Sequence, residues 1–147
     1  MRFLIQRVKR ASVHIDGKLA ASIGNGILAL VGIAATDKTG DADYLADKLV
    51  NLRIFPDAEG RMNLSALDVN AELLLVSQFT LYGDCRKGRR PGFDDAAPPA
   101  TARDLYDYVV RTVAGKGLVT RSGVFQAHMD VELVNTGPVT FLLESPK

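Results

Sequence analysis

Side chains that usually carry hydrolytic or metal chemistry are scarce in this sequence. Its 147 residues include one cysteine, two histidines and no tryptophan. The single cysteine, Cys85, excludes an intramolecular disulfide, and it forms no cluster of metal-ligand spacing with the two distant histidines. No Walker-type phosphate loop is present, and Gly24-Asn25-Gly26 is better explained as a hairpin turn than as a dinucleotide fingerprint. We therefore expect neither a metal nor a cofactor.

Long apolar segments are missing as well. The longest runs from Ile27 to Ala35, which is far short of the roughly 20 residues that a membrane-spanning helix needs. Residues 1–10 carry several charges, which leaves no room for the apolar region of a secretory signal. Together with the single cysteine, these absences predict a cytoplasmic protein without a membrane segment.

The overall composition is that of one globular domain. Apolar residues make up 47% of the chain and charged residues 24%, and such values are typical of soluble proteins. A chain of 147 residues can bury a proper core but is too short for two ordinary domains. We therefore expect a single domain over residues 1–147.

Positive charge is concentrated in one short segment. Arg86-Lys87-Gly88-Arg89-Arg90 holds four cations, without which the net charge of +1 would be −3. Such a focused charge suits contact with a small piece of a polyanion. A solvated charged loop is the alternative explanation.

The apolar pattern predicts strands in both the first and the last third of the chain. Partial alternation over residues 4–15, two hairpin turn pairs and the run Ile27 to Ala35 predict a meander of three or four strands. Glu72 to Val76 is a further short strand, and residues 129–143 return to strand patterning.

Two segments between these strands have helical spacing. Asp41 to about Arg53 is the first, with apolar residues at Ala42, Leu45, Leu49 and Leu52. The second has Thr101 as its expected N-cap, ends at Gly115 or Gly117, and buries Leu105, Val109 and Val113. The expected fold class is α+β, with two helices packed on a strongly bent, mostly antiparallel sheet or partial β-barrel.

The residues alone predict no ordinary catalytic set. His14 and His128 are the only candidate bases at neutral pH, and their flanking apolar residues place both at the surface or a rim. Cys85 stands beside cations that would favour its thiolate, but no histidine shares its segment. Polar residues do follow a buried strand, where function and simple strand-end hydrogen bonding are both possible explanations: Ser77, Gln78 and Thr80.

Two segments resemble the signature motifs of the D-aminoacyl-tRNA deacylases, namely Val76-Ser77-Gln78-Phe79-Thr80-Leu81 and Asn135-Thr136-Gly137-Pro138-Val139-Thr140. The resemblance covers essentially the whole chain, because further short matches keep the same order: Ile5-Gln6-Arg7-Val8, Arg10-Ala11-Ser12-Val13, Asn51-Leu52-Arg53-Ile54-Phe55, Gly60-Arg61-Met62-Asn63-Leu64 and Arg90-Pro91. It implies a homodimer that hydrolyses the ester between a D-amino acid and the terminal adenosine of tRNA. Phe79 favours this family over a sibling deacylase that removes L-alanine from wrong tRNAs.

The resemblance also implies how L-substrates are rejected. Gly137-Pro138, in the cis form, would reach from one subunit into the active site of the other, and Arg7 would hold its carbonyls in orientation. Because a D side chain would then point outward and go unread, many D-amino acids should be accepted, and glycyl-tRNA should be cleaved to some degree. Further expected substrate contacts are Asn135 and, at the adenosine, Phe125 and Met129.

The chemical step is expected at Ser77, Gln78, Phe79 and Thr80, in one of two versions. Thr80 could attack the ester as a nucleophile, although no base is visible beside it. Alternatively the terminal ribose 2′-OH assists water while main-chain N–H groups around Phe79 and Thr80 stabilise the oxyanion, and the lack of a well-placed histidine favours this version. General contacts to tRNA phosphates are expected from Arg86, Lys87, Arg89 and Arg90.

Three residues depart from the family pattern. Thr136 stands where aspartate is common, Gly92 where serine is common, and Gln126 where a small residue is common. Because Gln126 lies near Phe125 and Met129, it puts the affinity for adenosine in doubt rather than the reaction class. The competing class of function is a nucleic-acid-binding module that catalyses no reaction and binds through the basic loop, residues 86–90.

Overall fold

The computed structural model describes all residues from Met1 to Lys147, and its centre is a strongly bent sheet. The first three strands are β1 (Arg2–Ile15), β2 (Lys18–Ile23) and β3 (Gly26–Gly32). The first half of β1 pairs antiparallel with β3 and the second half with β2. The predicted meander is therefore wrong, since β1 lies between β2 and β3 instead of at the edge. A strand of 14 residues is long enough to serve both partners in turn.

The rest of the main sheet comes from three later strands: β6 (Glu72–Ser77), β7 (Thr120–Ser122) and β8 (Asp130–Glu144). β6 runs parallel to both β3 and β7, whereas β8 runs antiparallel along β1. Each parallel pair is joined through a long helix, as such a crossover requires. The bent, partly closed sheet is confirmed, but it is mixed, with two parallel pairs that the sequence pattern does not reveal.

Two long helices, α1 (Thr39–Asn51) and α3 (Pro99–Ala114), confirm the two predicted helices. The expected N-cap Thr101 is wrong, because α3 begins at Pro99 with Pro98 as its N-cap, and proline suits a first position that needs no N–H donor. Shorter elements were not predicted: the one-turn helix α2 (Ala66–Val69) and a hairpin of β4 (Phe55–Pro56) and β5 (Met62–Leu64). No helix of this protein has both the length and the apolar character to cross a membrane.

The core lies between the helices and one face of the sheet. Leu45 and Leu49 of α1, like Val109 and Val113 of α3, are fully buried there. A second, smaller apolar cluster covers the opposite face of the sheet. β3 and β6 are therefore buried on both faces, as the run from Ile27 onward predicts. Consequently the residues that follow β6 are carried on one of the most rigid parts of the fold.

Candidate active site

A cleft of about 720 Å³ opens where β6 ends, a volume typical of small-molecule sites. Ser77, Gln78 and Phe79 line it from the end of β6. The other walls come from the loop before α3, the first turn of α3 and the segment from Phe125 to Met129. Folding therefore brings together the first signature segment and the residues expected at the adenosine, although about 50 residues of sequence separate them.

Residues Phe79–Tyr82 form a 3₁₀ turn at the mouth of this cleft. The Gln78 N–H donates to the Val31 carbonyl at 2.7 Å, which fixes the start of the turn to the end of β3. The first hydrogen bond of the turn is donated by the Leu81 N–H to the Gln78 carbonyl at 3.3 Å. The N–H groups of Phe79 and Thr80 precede that bond, so they have no partner within the turn.

Arg2 holds the same turn from its other end. Its Nη1 donates to the Leu81 carbonyl at 2.8 Å, and its Nε pairs with the Glu144 carboxylate at 2.7 Å. The guanidinium also lies over the Tyr82 ring, 4.5 Å from its centroid. Burial raises the pKa of Tyr82 to about 12. One side chain thus ties the 3₁₀ turn to the first and last strands.

Thr80 is exposed and lies outside the cleft wall. Its hydroxyl oxygen accepts a hydrogen bond from the Gln78 side-chain amide, and an amide N–H cannot take up a proton. His128 is the one titratable side chain on the cleft wall, where it is exposed, and it makes no hydrogen bond to Thr80. The structure therefore offers no base that activates this hydroxyl.

The basic loop begins and ends beside the cleft. Asp84 and Gly92 close it with two backbone hydrogen bonds of 2.8 and 2.9 Å. The next aromatic residue, Phe93, packs edge-on against Phe79, with 5.0 Å between the ring centroids. A Cβ atom added at Gly92 would meet nothing within 4 Å, so the serine expected at this position would fit without a clash.

The four cations of this loop are not equivalent. Arg86 donates two side-chain hydrogen bonds of 2.8 Å to Asp84, and its guanidinium holds the pKa of that carboxyl well below its usual range. Lys87, Arg89 and Arg90 are exposed and form no ion pair. The charge available to an anionic ligand is therefore closer to three cations than to four.

The Gly137-Pro138 pair lies in a bulge of β8 and is joined by a cis peptide bond. On β1 a single residue, Arg7, separates the partners of Thr140 and Asn135, so residues 136–139 bulge out opposite it. Gly137 and Pro138 are exposed and line no part of their own chain's cleft. Within one chain the two signature segments are therefore not brought together.

Two side chains hold this bulge in shape. The Arg7 guanidinium donates to the Thr136 carbonyl at 3.0 Å and to the Ile54 carbonyl at 2.7 Å. The Asn135 side chain accepts the Val139 N–H at 2.8 Å and donates to the Val139 carbonyl at 3.2 Å. Because Thr136 contributes its backbone carbonyl, its contact with Arg7 does not depend on which side chain stands at position 136.

Comparisons with known proteins agree on one family. The family model described as D-Tyr-tRNA(Tyr) deacylase matches residues 4–144. Proteins named D-aminoacyl-tRNA deacylase from Thermosipho africanus and Geotalea uraniireducens are 55% and 56% identical over 147 residues, which is 100% of this chain and 99% and 95% of theirs. The chain therefore belongs to the D-Tyr-tRNA(Tyr) deacylase family.

Two solved structures are similar over nearly the whole fold. One, a c-Myc DNA Unwinding Element Binding Protein, has a TM-score of 0.95 at 37% identity and covers 100% of both chains. The other, a probable eukaryotic D-amino acid tRNA deacylase, has a TM-score of 0.84 with 97% of this chain and 98% of that one covered. At 17% identity the second likeness concerns the fold alone.

Proposed function

We propose that this protein hydrolyses the ester bond of D-aminoacyl-tRNA, releasing free tRNA and the D-amino acid, and rejects L-aminoacyl-tRNA. The observation that carries the proposal is the exposed Gly137-Pro138 bulge. The side chains of Arg7 and Asn135 hold the backbone of this bulge in place. The family and the names of relatives more than half identical support the same reaction. The reaction belongs in the cytoplasm, where tRNA is charged.

Chirality is read by main-chain atoms in this proposal. The bulge lines no part of its own cleft, so in a homodimer it would enter the cleft of the partner subunit. Carbonyls near Gly137 would grip the α-ammonium and occupy the space that an L side chain needs. A D side chain would point away from these carbonyls and would not be recognised by the protein. Glycine has no side chain to exclude, so glycyl-tRNA would be cleaved to some degree.

The chemical step in this proposal needs no nucleophilic side chain. The free N–H groups of Phe79 and Thr80 are suited to stabilise an oxyanion, because backbone donors fixed in advance cost no reorganisation. The ribose 2′-OH of the terminal adenosine would assist the attacking water. Ser77 and Gln78 would position the substrate at the end of β6, where the buried strand keeps them in place.

The nucleotide end of the substrate would occupy the apolar cleft. Phe125 and Met129 would contact the terminal adenosine, since both line the cleft. The basic loop would contact phosphates without reading bases. Lys87, Arg89 and Arg90 would contribute most, because Arg86 is already paired with Asp84.

One assay tests the proposed function against its rivals. Purified protein is incubated with D-tyrosyl-tRNA, L-tyrosyl-tRNA, glycyl-tRNA and L-alanyl-tRNA mischarged on tRNA-Thr, each beside a control without protein. We expect rapid loss of D-tyrosyl-tRNA, slower loss of glycyl-tRNA and no loss of either L-ester. Cleavage of L-alanyl-tRNA alone would identify the sibling deacylase. If the protein cleaves none of these substrates but binds tRNA or DNA, a binding module is favoured. The solved structure at 37% identity is named as a DNA-binding protein.

Arg2 offers a test of the oxyanion turn. We expect Arg2→Ala to lower kcat on D-tyrosyl-tRNA about tenfold with KM changed less than about twofold, because the turn loses its anchor at Leu81 while the cleft remains. Glu144→Gln is the matched control, since it breaks the ion pair but spares the bond to the Leu81 carbonyl. A Glu144→Gln variant as slow as Arg2→Ala would contradict this role, and melting curves establish that both variants are folded.

A further inference from the structure

Arg103 is held at the rim of the cleft by two contacts. Its Nη2 donates to the Gln126 side-chain oxygen at 2.9 Å, and its guanidinium lies over the Phe125 ring, 5.0 Å from the centroid. Phe125, Gln126 and the neighbouring Ala102 all line the cleft. The guanidinium is therefore fixed beside the opening, although the side chain is exposed.

This cation has no anionic partner in the protein. Arg103 takes part in no ion pair, and the nearby Asp104 and Asp107 on the same helix form none with it. A guanidinium has five N–H donors, of which the Gln126 oxygen takes one. The remaining donors are available for an anionic ligand, and two parallel N–H bonds suit a phosphate oxygen pair.

Gln126 has an unusual backbone conformation, and its side chain has a defined partner in Arg103. Its φ of 63° lies in the left-handed region, which residues other than glycine seldom adopt. A glycine at this position would have no acceptor for Arg103. This chain therefore keeps a less favourable backbone conformation together with a side chain that orients a cation.

We propose that Arg103 contacts a backbone phosphate of the tRNA 3′ strand where the strand enters the cleft, and that Gln126 and Phe125 hold it ready for that contact. This inference rests on the proposed function and adds a second phosphate site to it. The basic loop is anchored at Phe93 beside Phe79, whereas Arg103 is anchored at Phe125. A side chain already fixed loses little entropy on binding.

The test compares two substrates that differ in phosphate. D-tyrosyl-tRNA carries the strand, and D-tyrosyl-adenosine, esterified at the same ribose, carries no phosphate. We expect Arg103→Ala to lower the ratio of kcat/KM on tRNA to kcat/KM on the nucleoside ester about tenfold, which is the worth of one charged hydrogen bond. The negative slope of log kcat/KM against log salt for tRNA should become less steep by about 0.7 to 0.9, as expected when one phosphate contact is lost.

Two variants complete the design. Arg111→Ala removes an exposed, unpaired cation two turns further along α3 and away from the cleft, and its ratio should stay within about twofold of wild type. Arg103→Lys keeps the charge but loses the planar fork, so its ratio should lie between those of wild type and Arg103→Ala.

Each other outcome has a definite meaning. An equal loss on both substrates in Arg103→Ala would leave the ratio unchanged and would show that Arg103 acts only through Phe125. Unchanged activity on both substrates would show that Arg103 contacts no phosphate. Either result overturns the inference. If the wild-type protein cleaves neither substrate, the proposed function itself fails, and this is distinguishable from both results above.

Discussion

Replacing Gly137 with alanine is expected to reduce deacylation of D-tyrosyl-tRNA by about 100-fold or more. The φ of Gly137 is +141°, a conformation that L residues rarely adopt. A methyl group there would lie 2.8 Å from Val139 Cγ2 and 3.0 Å from Arg7 Nη2. The bulge would have to move, and a shift of about 1 Å in a group that positions substrate can cost about 100-fold in rate.

The matched control is Gly117→Ala at the end of α3. Gly117 also has a positive φ, +92°, but an added methyl group would meet nothing within 4 Å, and the residue does not line the cleft. Both variants should lose about 1–3 kcal/mol of stability to backbone strain. Only Gly137→Ala should lose activity when single-turnover rates are measured at a temperature where both are folded. Equal single-turnover rates in the two variants would show that the bulge takes no part in the mechanism.

A substrate ending in 2′-deoxyadenosine is expected to be cleaved about 100- to 1000-fold more slowly than normal D-tyrosyl-tRNA. In the proposed step the neighbouring hydroxyl helps move a proton, and assistance of this kind is worth about 100- to 10,000-fold. Thr80→Ala should retain turnover within about threefold, because its hydroxyl faces an amide donor and no base.

The deoxy substrate and the Thr80→Ala variant together distinguish the two versions of the chemical step. Single-turnover rates with saturating protein separate the chemical step from any change in affinity for the altered tRNA end. Thr80→Ser, which keeps the hydroxyl, is the control for packing around the 3₁₀ turn. If Thr80→Ala is inactive, Thr80→Ser is active and the deoxy substrate reacts normally, Thr80 is the nucleophile and the proposed step is wrong.

The spacing of apolar residues along the sequence predicts the helices and strands that are decided by burial of a single segment. The spacing of Leu45 and Leu49 predicts α1, and the apolar run from Ile27 predicts a strand buried on both faces, since each depends on burial of one continuous segment. The order of strands could not be predicted in this way. Pairing along β1 depends on contacts between distant segments, above all with β8. At α3 the prolines at 98 and 99 decide the start more strongly than Thr101 does.

The candidate site was predictable as a set of short segments but not as an arrangement. Sequence resemblance indicates Ser77 to Thr80 and Gly137-Pro138 and implies that they meet across a dimer, and the fold shows that one chain keeps the two segments apart. The pairing of Arg86 with Asp84 is local, whereas that of Arg103 with Gln126 depends on the fold. No periodic pattern marks either pair, because hydrogen bonds between exposed polar side chains leave no trace in hydrophobicity.

The bulge held by Arg7 and Asn135 has an evolutionary consequence. In the proposed function its recognition atoms are main-chain carbonyls, and a codon change alters side chains but never the carbonyl itself. Loss of discrimination would therefore require change at the few positions that shape the bulge, chiefly Gly137 and the two residues that hold it. Mutations at most other positions are therefore expected to leave the discrimination between D- and L-substrates intact.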